Sequence, residues 1–434
     1  MMIHKVDRIC TIFFFAVVNL IIILTLYYFD WKFYYYLFFG ALLLVQFFIL
    51  KSSFFWTFFF SIGFTFVIIL FHALLFNFNF EIKNIQKFTV VQESKKNYLI
   101  KSSFNFFCYL KKSNYSNLKF STGDTIFISI TDRSKYQFDR SFSFTFNNYL
   151  FSNNIKYLIS KYQIKSIIHP NFLKGWWNNL EHYFKDCHLI ESLIFNNHLT
   201  GGFYKETIFY NVVQLIIISK HHLNLWKKFY LTFFQKVSPE IIVNFLFLIF
   251  FLLYCYLTNF SIVVTRLLVS ELLTACFAFL FFRNIFSFNF KVINRLQKYE
   301  MKLIWSITAF FFVFYNPKIV FDISFYFCFI IPLAMIYFLK LEISSAWIKK
   351  IFINYLVLIV CLPVFISVNN SLNIISPFLV LLIEPLIMVF YILLWPLILT
   401  SNFFFPFDWI NFINLFLEKI LSNCFSIFSW IIYF

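Results

Sequence analysis

The chain has 434 residues, 61% of them hydrophobic and only 13% charged, with mean hydropathy +0.78 and a formal net charge of +17. That composition excludes a water-soluble globular domain, and the chain reads as an integral membrane protein. The 73 Phe and 25 Tyr, with heavy use of Ile, Asn and Lys, match what AT-rich codons encode, so an aromatic stripe by itself points to no site.

A hydrocarbon core about 30 Å thick takes about 20 apolar residues of helix. Three such runs open the chain: Ile9 to Phe29, Tyr34 to Leu50 and Phe54 to Phe76. The first is longer than a signal-peptide core, is followed at once by two further spans, and ends without a small-residue cleavage site, so it reads as a retained span. Residues 77 to 190 then interrupt the hydrophobic sequence with a water-compatible insert. It holds 16 Lys plus Arg against 7 Asp plus Glu, a net of +9. Phe88 to Val91, Tyr98 to Lys101, Phe104 to Leu110 and Thr125 to Ile130 are short β-prone runs, and Gly123 with Asp124 punctuates the turn before the last. Strands this short must close or pair their edges, which points to a small OB-like barrel. Asn147 to Ile159 and Leu180 to Phe195 read as helical.

After the insert the candidate spans are Thr207 to Trp226, Ile241 to Leu257, Ile262 to Phe282, Leu303 to Tyr315, Ile319 to Leu339, Ile351 to Val368 and Leu372 to Leu399. Trp409 to Phe434 carries Glu418 and Lys419, and either spans or lies in the interface. The expected fold is therefore an α-helical polytopic membrane protein of about 10 or 11 transmembrane helices with one small β-rich insert. Its parts are an N-terminal helical region (1–76), the insert (77–190) and a helical bundle (191–434). Basic residues in short loops mark the cytoplasmic side. They cluster at every second connection: Lys227, Lys228 and Lys236; then Arg283, Lys291, Arg295, Lys298 and Lys302; then Lys340, Lys349 and Lys350. Counting back from them places the insert outside and the N-terminus, with Lys5 and Arg8, inside.

Polar groups within spans are costly and therefore informative. Arg266, Ser270 and Thr274 lie at i, i+4 and i+8 and share one helix face. Asn211, Gln214, Ser219 and His222 gather on one side of another helix. Ser219 and His222 are i, i+3 neighbours, but no Asp or Glu stands nearby to orient the imidazole and no G-x-S-x-G elbow exists, so no catalytic residue is assigned. Glu384 is a further acid in a span, and Pro377 and Pro385 predict a broken or kinked helix around it. All 8 His lie at or before His222, without a metal-binding companion cluster, and none of the six Gly builds a phosphate-binding P-loop. No metal or cofactor is expected, and any motor is a separate protein. Cys108 and Cys187, the two cysteines of the insert, would be placed to pair in an oxidising exterior. Basic charge among aromatics suits a nucleic acid, and equally suits a merely solvated surface.

The order of these features resembles the ComEC family of competence proteins, inner-membrane channels that pass single-stranded DNA into naturally transformable bacteria. The resemblance runs from about residue 88 onward. S-T-G-D-T-I-F-I-S-I matches the family's Gly-Asp turn before a β run, and F-N-N-Y-L-F-S-N-N-I its Tyr-containing approach to the bundle. Q-L-I-I-I-S-K-H-H-L-N is similar to the Ser-then-His helix, with Ser219 and His222 matching, although Lys220 and Asn224 replace the usual glycines and Gln214 a common His. L-T-N-F-S-I-V-V-T-R matches at Thr258, Ser261 and Arg266, with Asn259 for glycine. N-P-K-I-V-F-D-I-S-F-Y-F-C-F keeps the Asn-Pro turn, Asp322 and Phe325, while Ser324, Tyr326 and Cys328 depart. Leu362, Pro363, Pro377 and Pro385 fall in register, with Val380 where an Asn is common.

The resemblance implies uptake of single-stranded DNA across the cytoplasmic membrane, with the insert outside receiving the strand. Ser219, His222, Arg266, Ser270 and Glu384 would line or gate its path. The implied partners are single-stranded DNA, membrane lipid, a cytoplasmic ATP-driven motor and a DNA-binding receptor, with a homo-oligomer left open. The nuclease-like domain that many relatives carry after the bundle has no counterpart here. The alternative from another class is a polytopic enzyme or flippase acting on lipid-linked substrates, with Arg266, His222 and Glu384 near the headgroups.

Overall fold

The computed structural model describes residues 2–28, 43, 46–47, 50, 53–76, 86–93, 97–102, 107–112, 120–135, 155–184, 187–195, 207, 210, 222, 226–228, 232, 240–282, 290–338, 341–343, 345–369, 371–400, 407–427 and 431–433. In chain order its elements begin with helices α1 (Met2–Tyr28) and α2 (Phe54–Phe76). Strands β1 (Gln86–Glu93), β2 (Asn97–Ser102), β3 (Phe107–Lys111), β4 (Thr125–Lys135) and β5 (Ile155–Ile168) follow. Helices α3 (Phe172–Tyr183), α4 (Glu240–Leu257), α5 (Ile262–Phe282), α6 (Phe290–Tyr315), α7 (Ile331–Phe338) and α8 (Ala346–Asn369) come next. Strand β6 (Ser371–Asn373), helices α9 (Ser376–Thr400) and α10 (Phe407–Ile427), and strand β7 (Ile431–Tyr433) complete the chain. Two compact units contain these elements: Met1–Asn178 with Leu273–Tyr326, and Asn179–Leu272 with Phe327–Phe434.

Among the described residues three helices are long and apolar enough to cross a membrane, at Ile9–Tyr27, Phe54–Phe71 and Ser376–Ile398. The expected runs at Phe54 to Phe76 and Ile262 to Phe282 coincide with α2 and α5. Several elements differ from expectation. The span expected at Ile319 to Leu339 is divided into a 3-10 turn, Pro317–Phe321, a π-helical turn, Tyr326–Ile330, and α7, because Asp322 ends the first turn. The run at Leu303 is the second half of a longer helix, because the basic, good helix-forming stretch from Phe290 extends the apolar turns of α6 towards its N-terminus. Around Pro377 and Pro385 the helix is unbroken: Pro377 sits in the first turn of α9, where a missing N–H costs nothing, and Pro385 lies within a continuous helix. The expected spans at Tyr34 to Leu50 and Thr207 to Trp226 lie largely outside the described residues.

In the first unit, aromatic side chains join α1, α2 and α6. Phe13 and Phe64 meet Phe310 with ring centroids 6.5 and 5.8 Å apart, Phe14 meets Trp305 at 5.5 Å, and Phe71 stacks on Phe314 at 5.6 Å. Ser53, Thr57, Ser61 and Thr65 form a buried stripe along α2. The hydroxyls of Thr57, Ser61 and Thr65 each donate to the carbonyl four residues earlier, and Ser61 also reaches Ala16 O at 3.1 Å. Hydroxyls paired in this way can be buried between helices without an unmet donor.

The insert folds as a closed five-stranded barrel in the order β1-β2-β3-β5-β4, with β1 returning to pair with β4. Every pairing is antiparallel except β3 with β5. Closure removes the free strand edges that a small sheet would otherwise expose. Phe88, Val90, Tyr98, Ile100, Leu110, Phe120, Ile126, Ile128 and Ile159 fill the interior; each buried aliphatic or aromatic side chain contributes about 1.5–3 kcal/mol. Cys108 is part of this core, and Cys108 and Cys187 are both buried as free thiols.

The part of Asn147 to Ile159 that is described belongs to β5, a strand where a helix was expected. Its pairing with β4 carries two bulges: Ile128 pairs with Ile164 but Phe127 with Ser166, and Asp132 pairs with Lys161 but Arg133 with Ile159, so Lys165 and Ser160 are extra residues in β5.

The turn before β4 fixes the end of the barrel. Gly123 N–H donates to Val90 O at 2.7 Å, and Val90 N–H donates to Asp124 O at 2.8 Å. The buried Asp124 carboxylate accepts from Ser121 N–H at 2.7 Å and meets His169 Nδ1 at 2.9 Å. Asn178 of α3 reaches back to Thr122 O. Gly123 has φ +90°, and a Cβ there would meet Asn178 Nδ2 and Lys174 Cγ at 3.3 Å, so the position requires glycine on two counts. Gly123→Ala should destabilise the barrel by about 1–3 kcal/mol. In hydrogen exchange of the full chain, β1 and β4 amides would lose protection while α1 and α2 keep theirs; unchanged β1 and β4 would show that the turn does not hold the barrel.

Candidate functional site

Within the second unit, α4 and α5 are joined by a tight turn. Thr258 Oγ1 donates to Tyr254 O, Phe260 N–H closes onto Cys255 O at 2.7 Å, and Asn259 and Phe260 take φ of 55° and 52°. Left-handed backbone favours glycine, and Asn is among the few other residues that tolerate it. Asn259 is the residue that stands for glycine in the sequence comparison above. Two turns into α5, Arg266 Nη1 donates to Cys328 O at 2.6 Å.

Cys328 belongs to a π-helical turn, Tyr326–Ile330, that leads into α7. The chain enters that turn through two capping devices. Asn316 accepts from Lys318 N–H at the start of a 3-10 turn, Pro317–Phe321, and Asp322 Oδ1 accepts from Ser324 N–H at 2.7 Å. The Asn-Pro and Asp322 motif residues therefore build a controlled helix break. The π turn beyond it presents a carbonyl to Arg266; such turns recur at functional sites. One arm of the guanidinium is committed, while Nε is buried and has no hydrogen-bond partner. A half-used, fork-shaped cation suits a phosphate or another bidentate oxyanion.

Sequence reading singled out Ser270 and Thr274 beside Arg266 and passed over Glu271. The structure places Ser270 Oγ on Leu267 O of its own helix at 2.8 Å, and buries Glu271 at 6% exposure with Lys227 Nζ 3.2 Å from its carboxylate. Lys227 also lies over the Phe247 ring at 5.7 Å. An acid in the middle of an apolar helix was the available signal, because such a group needs a cation. His222 is buried edge-on against Tyr391, with ring centroids 5.2 Å apart. Trp226, Phe247, Phe250, Phe251, Tyr254 and Trp395 form the neighbouring aromatic cluster, and Tyr254 Oη donates to Ile194 O at 2.7 Å. Glu384 is half-buried in α9, and Ser219 lies outside the described residues. No group of three metal-ligating side chains occurs among the described residues.

A second polar seam docks the segment 187–195 onto α10. Leu189 N–H donates to Glu418 Oε1 at 2.9 Å, Ile190 N–H to Asn414 Oδ1 at 3.3 Å, and Cys187 Sγ reaches Asn411 Oδ1 at 3.1 Å. Asn414 Nδ2 in turn donates to Glu418. These side chains satisfy the first N–H groups of a short helix, which have no intrahelical partner. Tyr183 Oη donates to Asp408 at 2.8 Å, and that bond raises the phenol above its ordinary pKa.

On the barrel, cations lie over aromatic rings at two places. The Arg133 guanidinium lies 4.3 Å from the centroid of Tyr157, and Lys112 Nζ lies 4.7 Å from that of Tyr98. Lys87, Lys111, Lys161 and Lys165 are exposed on the barrel. Burial lowers the pKa of Lys101.

Glu271→Ala should cost the folded bundle about 1–3 kcal/mol by leaving Lys227 without its carboxylate. Lys227→Met in the same chain should recover most of that loss in thermal unfolding of the detergent-solubilised protein; a strictly additive double variant would show that the pair is not coupled.

No family model matches the chain, and no curated protein or solved structure matches it either.

Proposed function

We propose that this chain is a polytopic channel of the cytoplasmic membrane that takes up single-stranded DNA, with the barrel on the outer side and the bundle forming the passage. The observation that carries the reading is Arg266: a cation within an apolar helix, held by one arm on the π turn and with donors left for a strand's phosphates. Three features add support. The barrel's strand order is that of an OB-like fold, and its Arg133–Tyr157 pair sets a cation beside a partly exposed ring, a combination that binding to single strands uses. The left-handed conformation of Asn259 falls where the competence family has glycine. The Asn316 and Asp322 caps give a structural reason for two further motif residues.

On this reading the barrel receives the strand from a separate DNA-binding protein, and a separate cytoplasmic ATP-driven motor pulls it through. Arg266 and Ser270 on α5, with His222 and Glu384, lie along or gate the path. Glu271 holds Lys227, so α5 carries a paired acid and a partly committed cation. The chain supplies no catalytic step.

Entry of labelled DNA into cells with and without the gene tests the function. Arg266→Ala should cut uptake at least tenfold with membrane insertion intact, and Arg266→Lys should restore only part of it, because a point charge replaces a fork. Equal DNA entry with and without the gene would sink the channel; an altered lipid or glycan profile in its place would favour the lipid-linked substrate reading.

A further inference from the structure

At one end of the barrel, β5 runs out through His169, Pro170 and Asn171 into α3, and this corner is apolar where a water-soluble domain would be polar. Phe172 is 85% exposed, Ile168 56% and Leu173 50%. They are held outward by folded structure. Ile168 is the last residue of β5 and pairs with Thr125 of β4. Asn171 caps α3, its side chain accepting from Lys174 N–H at 3.1 Å and its carbonyl from Gly175 N–H at 2.9 Å. The same helix turns Lys174 and Trp177 inward, both at most 4% exposed, so the large apolar residues face out while a lysine faces in. Asp124, His169 and Asn178 tie this corner to the glycine turn.

Two further observations identify what the corner meets. The last residue of α2, a helix able to cross a membrane, is Phe76, and β1 begins at Gln86. Nine residues reach at most about 30 Å, so the barrel is tethered close to a bilayer surface. On β5 and just beyond it, the exposed ionisable groups beside the apolar corner are Lys165 and His169. Aromatic and aliphatic side chains flanked by lysine are the combination that sits at headgroup depth beside anionic lipid.

We infer that Ile168, Phe172 and Leu173 form a lipid-docking lip that dips into the headgroup layer and holds the barrel against the membrane. The occupant is the bilayer itself, with anionic headgroups met by Lys165. The inference does not depend on what passes through the bundle. It gives the barrel a fixed face towards the membrane and leaves the Arg133–Tyr157 pair to solvent or ligand.

The test uses the full chain with a photo-crosslinking phenylalanine analogue at position 172, reconstituted into nanodiscs of phosphatidylcholine alone or mixed with phosphatidylglycerol. The same analogue at the exposed Ser134 is the reference. Lipid adducts, identified by mass spectrometry, should be several-fold more abundant at 172 than at 134, and should rise further with phosphatidylglycerol. Lys165→Gln should reduce that further rise and leave the adducts in phosphatidylcholine. Lipid adducts at 172 no more frequent than at 134, or adducts to protein in their place, would overturn the lip. Because Phe172 and Leu173 are exposed, Phe172→Gln with Leu173→Gln should leave the protection of barrel amides in detergent unchanged. In nanodiscs it should speed exchange across residues 168–173 several-fold, and equal exchange with the unaltered chain there would also overturn the inference.

Discussion

Every backbone N–H and C=O in a chain this apolar must find a partner, and that constraint shapes each part of the structure. Helices meet it internally. The barrel meets it by closing, so that β1 pairs with both β2 and β4 and no strand edge is left. Where the chain leaves a helix, side chains take over: Thr258 at the α4–α5 turn, Asn316 and Asp322 before the π turn, and Glu418 with Asn414 at the short helix of residues 188–190. These polar side chains thus serve the ends of elements.

Arg266 and Glu271 stand apart from that pattern because they lie inside α5 rather than at its end. Glu271 is neutralised by Lys227, and Arg266 spends one arm on Cys328 O. A charge in this setting is expensive unless it has work to do. The pairing of Glu271 accounts for one charge. The remaining donors of Arg266 are what a passing phosphate backbone would use, and the proposed function rests on that asymmetry between two charges five residues apart on one helix.

The helices were legible wherever the apolar run was long and uninterrupted, as in α2 and α5, because length alone decides whether a segment can span. Four of the barrel strands were legible from their β-branched content. The fifth was not, since the strands it pairs with, β3 and β4, lie well before it in sequence, beyond any local pattern. The π turn at Tyr326–Ile330 left no mark in composition, and the cation partner of Glu271 lies 44 residues away in sequence, beyond any local pattern. Of the residues expected to line a path, Arg266 and His222 could be placed in named surroundings. The hydroxyl of Ser270 turned out to bond its own helix, as Ser and Thr commonly do inside apolar helices.

The central claim is passage of a single strand through the bundle, and planar-bilayer recording of the purified full chain addresses it most directly. The account predicts an ionic current that single-stranded oligonucleotides interrupt from the barrel side, with blockades that lengthen with strand length and shorten in Arg266→Ala. The absence of a current, or a current indifferent to DNA, would contradict it.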